Sequence, residues 1–365
     1  MNSDTATRSS LSSACLADTM EQRGFSTHED YEYHDFQASA GDVDGAVVDA
    51  VSVDLEDYYH VEAFASRICR SGWGTFASRI RQNTKLTLDV LDRSKCRATF
   101  FILGWIAERE PKLMRELADA GHELACHSHL HRPLHTLRPS EFRADLVRSR
   151  DAIENATGVR VVGFRAPTFS ITQKSLWALE VLAEEGFRYD SSIFPIHHDL
   201  YGMPDAPRWA HRRGLPSGQS IWEIPPSTVR MGKMNIPFGG GGYLRLLPMP
   251  FTRWAIRKTH RQERQPVIVY FHPWELDPDQ PRLTGSWKSK LRHYTGLHKT
   301  ANRLHEILSR GRFQPMINLV RRLETQLRPL VDSVADAVLP HFEHGMADHL
   351  GVRATEAMLK IGQSA

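Results

Sequence analysis

The chain has 365 residues, 41% of them hydrophobic and 24% charged, a composition that supports a large buried core and excludes a fibre or a globally disordered polymer. A formal net charge of +3 and a pI near 8.7 make no electrostatic case for nucleic acid as a partner. The cysteines Cys15, Cys69, Cys96 and Cys126 are widely spaced and form no CxxC pair, which fits reduced thiols in a cytoplasmic protein rather than a disulfide framework.

Residues 1–45 are rich in Ser, Thr, Asp, Glu and Gly without periodic hydrophobicity and read as a mobile leader. They lack the basic start and apolar run of an export signal, and no later segment has the uninterrupted apolar length of a membrane span. A catalytic domain is expected over 46–326. Short runs of β-branched and aromatic residues predict strands at 46–54, 98–103, 122–126, 161–164, 187–190, 221–224 and 267–271. Helical patterns fill the gaps. Pro111 opens one that Gly121 stops; Ser140 is the expected cap of a second, ended by Gly158; Thr172 is the expected cap of a third, ended by Gly186. Beyond Leu327, Leu330, Val334 and Val338 follow the helical period until Pro340, so 327–365 reads as a helical extension packed on its own domain. Strand–helix alternation without a GxGxxG after the first strand favours an α/β fold of (β/α)-barrel type over a nucleotide-binding sheet.

The stretch His127-Ser128-His129-Leu130-His131 stands downstream of the carboxylates Asp54, Glu56 and Asp57. Imidazoles four residues apart face one way on a helical turn, and with one carboxylate they make a two-histidine site that holds a divalent metal with a position left open for chemistry. Chance pairing among 19 histidines is the competing reading of that spacing alone. Position strengthens the metal reading: Asp54, His127, Arg165, Asp190 and His272 each end or follow a predicted strand, and in a β/α barrel those ends open onto the face that carries the active site.

These residues resemble the polysaccharide deacetylases of carbohydrate esterase family 4, the NodB-homology group. The resemblance covers about 50–280 and rests on HSHLH at 127–131, Arg165-Ala166-Pro167 and the late-strand His272. The strings VDLEDYYHVEAF, FRAPTFS, YDSSIFP, GGGGYLRLLP and YFHPWELDPDQPR further resemble the subgroup found with exosortase and exopolysaccharide gene clusters. The family implies a distorted (β/α) barrel and metal-dependent removal of N- or O-acetyl groups from sugars.

By that resemblance His127, His131 and either Glu56 or Asp57 hold the metal, expected to be Zn²⁺, which activates water and polarises the acetyl oxygen. Asp54 is then the base, Arg165 orients it, His272 protonates the leaving nitrogen and Asp190 holds that histidine. A backbone N–H near Thr168 would stabilise the oxyanion. Two positions depart from the family: the usual adjacent aspartates are replaced by Asp54-Leu55-Glu56-Asp57, and the Tyr after Arg-x-Pro by Thr168. The expected substrate is an N-acetylated polysaccharide or lipid-linked glycan in exopolysaccharide biosynthesis. A related hydrolase of small amides and a silent carbohydrate-binding protein are the alternatives. Gly239 to Gly242 lack the Lys-Ser/Thr of a phosphate loop and read as a loop by the sugar cleft or a plain turn; the basic run 253–264 reads as a solvated helix face.

Overall fold

The computed structural model describes residues 47–338; the expected leader over 1–45 and the last part of the expected extension, 339–365, lie outside the described residues. The strands are β1 (Asp49–Leu55), β2 (Thr99–Ile102), β3 (Glu123–Cys126), β4 (Gly163–Phe164), β5 (Tyr189–Asp190), β6 (His211–Gly214), β7 (Ser220–Glu223), β8 (Thr228–Met231), β9 (Met234–Pro237), β10 (Ile268–Phe271) and β11 (Phe313–Gln314). Nine of them form one sheet in the order β10-β1-β2-β3-β4-β5-β7-β6, with β11 added beside β1. Every pairing in it is parallel except β6 on β7. Strand succession in chain order, with β10 returning to β1, is the barrel-like connectivity that alternating strands and helices impose.

Each of the seven expected strands overlaps an observed one. β6, β8, β9 and β11 were not legible, because HRRG, TVRM, MNIP and FQ show no run of apolar β-formers and are recruited by pairing with neighbours. Helix starts also differ. The helix Pro139–Thr157 begins one residue before the expected cap Ser140: Pro139 sits in its first turn, and Glu141 Oε2 accepts the Arg138 N–H at 2.9 Å. Thr172 caps a short 3-10 turn, Gln173–Ser175, and the α-helix proper is Trp177–Glu184.

Alternate residues of the strands point to one interior. Ala50, Phe101, Ala125, Tyr189, Trp222 and Ile268 form a cluster with Met316, Ile317, Leu319, Val320 and Leu323 of the helix Met316–Val338. At about 1.5–3 kcal/mol for each large side chain buried, this seam is a main source of the fold's stability. The helix is docked by polar contacts as well: Glu123 Oε2 accepts the Ile317 N–H at 2.9 Å, and Thr99 Oγ1 accepts that of Met316 at 2.7 Å. It runs without a break through position 327.

Two glycines permit close approach. A Cβ on Gly163 would lie 2.2 Å from the Tyr189 ring, and one on Gly240 would lie 2.0 Å from the Tyr270 carbonyl oxygen. The second explains the glycine run: Gly240 bridges to Tyr270 in parallel register and brings 241–243 to the mouth of the sheet beside β10. Cations of the basic run engage local partners, Arg253 with Glu306 at 2.5 Å and His260 with Asp49 at 2.8 Å.

Candidate active site

The C-terminal ends of β1, β3, β4 and β10 converge on a cleft of about 380 Å³ that Asp54, Glu56, His127, His131, Thr168 and His272 line. Among the described residues, Glu56, His127 and His131 offer ligand atoms that all lie within 4.8 Å of one another. Glu56 Oε1 is 3.0 Å from His127 Nε2 and 2.9 Å from His131 Nε2, and all three residues are buried. His127 Nδ1 lies 2.7 Å from the Arg165 carbonyl oxygen, a partner that only accepts. The proton therefore belongs on Nδ1, and the lone pair on Nε2 faces Glu56. Electron-pair donors converge this closely only around positive charge, so the set fits a divalent cation of the kind imidazole and carboxylate bind. Burial alone would push the Glu56 carboxyl up; the charge of His131 leads the influences that outweigh it and hold Glu56 well below the usual carboxylate range.

The histidines are not presented by a helical turn, as their spacing suggested. They lie on a loop after β3, with Ser128 and His131 at φ of 64° and 49°, and this left-handed geometry needs external support. Arg70 supplies it from another part of the chain, donating to the carbonyls of Leu130 at 2.7 Å and His131 at 2.9 Å. The Ser128 hydroxyl accepts the His131 N–H at 3.1 Å, and Asp145 accepts that of His129 at 2.6 Å. His129 and His60 stand outside the ligand group.

Asp57 does not join the cluster. Its carboxylate accepts the Tyr58 N–H at 3.0 Å, the Ser78 hydroxyl at 2.7 Å and the Arg79 N–H at 2.8 Å. Those bonds turn it toward the start of the helix Ile80–Arg93, so of the two carboxylates expected as ligands only Glu56 is in place. Asp54, two residues before Glu56 and on the same side of β1, also enters the cleft. Arg165 donates to Asp54 Oδ1 at 2.6 Å and to the Ser52 hydroxyl at 2.9 Å. Its guanidinium is fully buried and lies 4.2 Å from the Phe101 ring centroid. The other Asp54 oxygen lies 3.8 Å from His272 Nε2.

Asp190 is the second correction. It is fully buried at the end of β5, in register with Glu223 of β7, and its oxygens accept the Ser192 hydroxyl at 2.5 Å and N–H at 3.1 Å. Ser192 in turn accepts the Ala166 N–H at 2.7 Å, so Asp190 braces the Arg-x-Pro turn rather than the histidine. Burial raises both carboxyls, and the charge of Asp190 pushes Glu223 further; the pair retains a proton, held on Glu223.

Glu275 faces His272 instead. Its Oε2 is 3.7 Å from His272 Nδ1, an ion-pair separation, and accepts the His272 N–H at 3.2 Å, while Oε1 receives Arg245 Nε at 3.0 Å. Burial lowers the His272 pKa, but Glu275, then Glu56 and Asp54, outweigh it and raise it to about 9. Sequence reasoning missed Glu275, although its spacing three residues after His272 across a proline is a capping-box signal. The indole of Trp274 stacks on the His272 ring, centroids 5.1 Å apart. Thr168 takes a left-handed conformation, φ 57°, as does Phe169 at 50°.

Residues 69–189 match the polysaccharide deacetylase family, and residues 191–321 match a domain family of unknown function, DUF3473. Among curated relatives, a peptidoglycan deacetylase-like protein of Gibberella zeae is 32% identical over 44% of this chain and 51% of its own length. A peptidoglycan-N-acetylglucosamine deacetylase of Bacillus cereus is 30% identical over 27% of this chain and 36% of its own length. The chain thus spans about half or less of these relatives. A Mycobacterium smegmatis structure assigned to the polysaccharide deacetylases shares the fold, with a TM-score of 0.50 and 22% identity over 76% of this chain and 90% of that one. Family match and relatives together support a polysaccharide deacetylase domain here. His127, His131 and Arg165 fall in the first matched segment, and His272 and Glu275 in the second.

Proposed function

We propose that the chain, with its polysaccharide deacetylase domain, is a metal-dependent hydrolase of C–N bonds that removes acetyl groups from N-acetylated sugars of a polysaccharide or its lipid-linked precursor. The observation that carries this reading is the convergence, in one cleft, of three residues able to hold a cation with a carboxylate and an imidazole only 3.8 Å apart. Hydrolysing an acetamide needs a base for water and an acid for a poor leaving nitrogen, and a pure sugar-binding protein needs neither.

His127, His131 and Glu56 would hold the divalent cation, Zn²⁺ first by donor type, which supplies Lewis acidity toward the acetyl oxygen and a water acidic near neutrality. Asp54 takes the water's proton; Arg165, donating at 2.6 Å, fixes the direction of that carboxylate. His272, held protonated by Glu275, delivers a proton to the departing amine. The strained backbone at Thr168, at the cleft wall, orients an N–H as an oxyanion donor. The resemblance of the flanking strings supports a place in exopolysaccharide biosynthesis.

The test is acetate release from N-acetylated oligosaccharides by chelator-stripped protein, with and without restored zinc. Zinc-dependent release is expected. Stoichiometric zinc binding without release from any N-acetylated saccharide would overturn the reading and turn the search toward small amides.

A further inference from the structure

Part of the cleft wall is formed by residues from 198–201, 241–246 and 289–293, all within the second matched segment. His198 lies flat on Tyr201, centroids 3.8 Å apart with ring planes at 16°, and Tyr201 stacks on Phe194 in turn. Such a layered aromatic surface suits the apolar face of a sugar ring. Arg292 lines the same wall and is exposed. Among the described residues its guanidinium donates no hydrogen bond and pairs with no carboxylate.

The other charges of the cleft are already matched. Asp54 faces Arg165, Glu56 faces His127 and His131, Glu275 faces Arg245, and Glu62 lies 3.9 Å from Arg70. Arg292 is left over. Its field reaches His198, Tyr201 and Tyr243, and at His198 and Tyr243 it exceeds the opposing field of Asp199. Its backbone is also tied to the acid histidine: Arg245 donates to the Arg292 carbonyl at 3.0 Å and to Glu275 at 3.0 Å. An exposed cation and an aromatic surface, in the cleft that also holds Asp54 and His272, suit an acidic sugar.

Resting on the deacetylase reading above, we propose that Arg292 is a specificity-determining residue that binds an anionic group, carboxylate or phosphate, on the sugar next to the acetylated one, with the ring of that sugar over His198. Arginine matches both anions with paired N–H donors, and a charge-assisted contact of this kind is worth about tenfold to a hundredfold in kcat/KM.

The experiment compares kcat/KM of the full chain, with zinc restored, on three oligosaccharides of equal length. One is neutral and N-acetylated, one alternates N-acetylhexosamine with hexuronate, and one is neutral but ends in a sugar phosphate. A preference of about tenfold or more for one acidic substrate is expected, and which one identifies the anion. Arg292→Gln should abolish that preference with the loss falling on KM, while Arg292→Lys should keep part of it. If Arg292→Gln fails to fold, Arg292→Lys and the shrinkage of the wild-type preference in raised salt carry the test. Equal turnover of neutral and acidic substrates, or a preference that survives Arg292→Gln, overturns this inference and leaves the deacetylase reading standing. Release from none of the three overturns that reading and this one with it.

Discussion

Glu275 faces the Nδ1 of His272 at 3.7 Å from three positions further along the same turn, with its other oxygen on Arg245 at 3.0 Å. Arg245 is itself buried and spends three further donors on the carbonyls of Arg292, His293 and Thr295. His272 is therefore held by a carboxylate that cannot swing away without stranding a buried guanidinium.

That relationship sets a pH limit. A proton donor acts only while protonated, so kcat/KM should fall as pH rises through the His272 pKa, raised to about 9. Glu275→Gln removes the largest of the influences that raise it, so the alkaline limb of the profile should move to lower pH. An unmoved limb would show that another group is the acid.

Loss of one triad ligand should separate binding from turnover. His127→Ala is expected to lose zinc in a metal-content assay, whereas His272→Ala should keep zinc and lose turnover. Chelation of the wild type should lower its Tm, by an amount equivalent to about 4 kcal/mol if free zinc exceeds its Kd a thousandfold. Equal zinc in wild type and His127→Ala would remove these three residues from the metal site.

Asp57 is expected to act on stability alone. Asp57→Ala leaves the Arg79 N–H and the Ser78 hydroxyl without their acceptor, a loss of about 1–3 kcal/mol readable in denaturant melts, with zinc stoichiometry retained. Zinc loss at wild-type stability would reinstate Asp57 as a ligand.

The Asp190–Glu223 pair predicts a stability that depends on pH. Both folded-state pKa values lie above the unfolded ones, so the native chain binds more protons than the unfolded one. The stabilisation is fully present below the unfolded carboxyl pKa values and is lost as pH rises toward the raised folded ones, at up to about 1.4 kcal/mol per pH unit for each proton. Asp190→Asn removes one charge of the pair and should flatten this decline in Tm; an unchanged slope would place the titration elsewhere.

The sequence by itself determined the strand–helix alternation and the placing of Asp54, His127, Arg165, Asp190 and His272 at strand ends, because period and turn chemistry are local properties. Chain order then carries those ends to one face. Which carboxylate enters the cleft, Glu56 rather than Asp57, was decided only in three dimensions, by the Ser78 and Arg79 donors some twenty residues away that claim Asp57. The same holds for the exchange of Asp190 for Glu275: Asp190 ends its strand as expected, but the partner strand sets Glu223 opposite it and burial closes the pair off. Short strands such as β6 and the left-handed HSHLH loop were illegible for one reason. Their conformations are imposed by neighbours distant in sequence, through pairing energy and hydrogen bonds that no local pattern encodes.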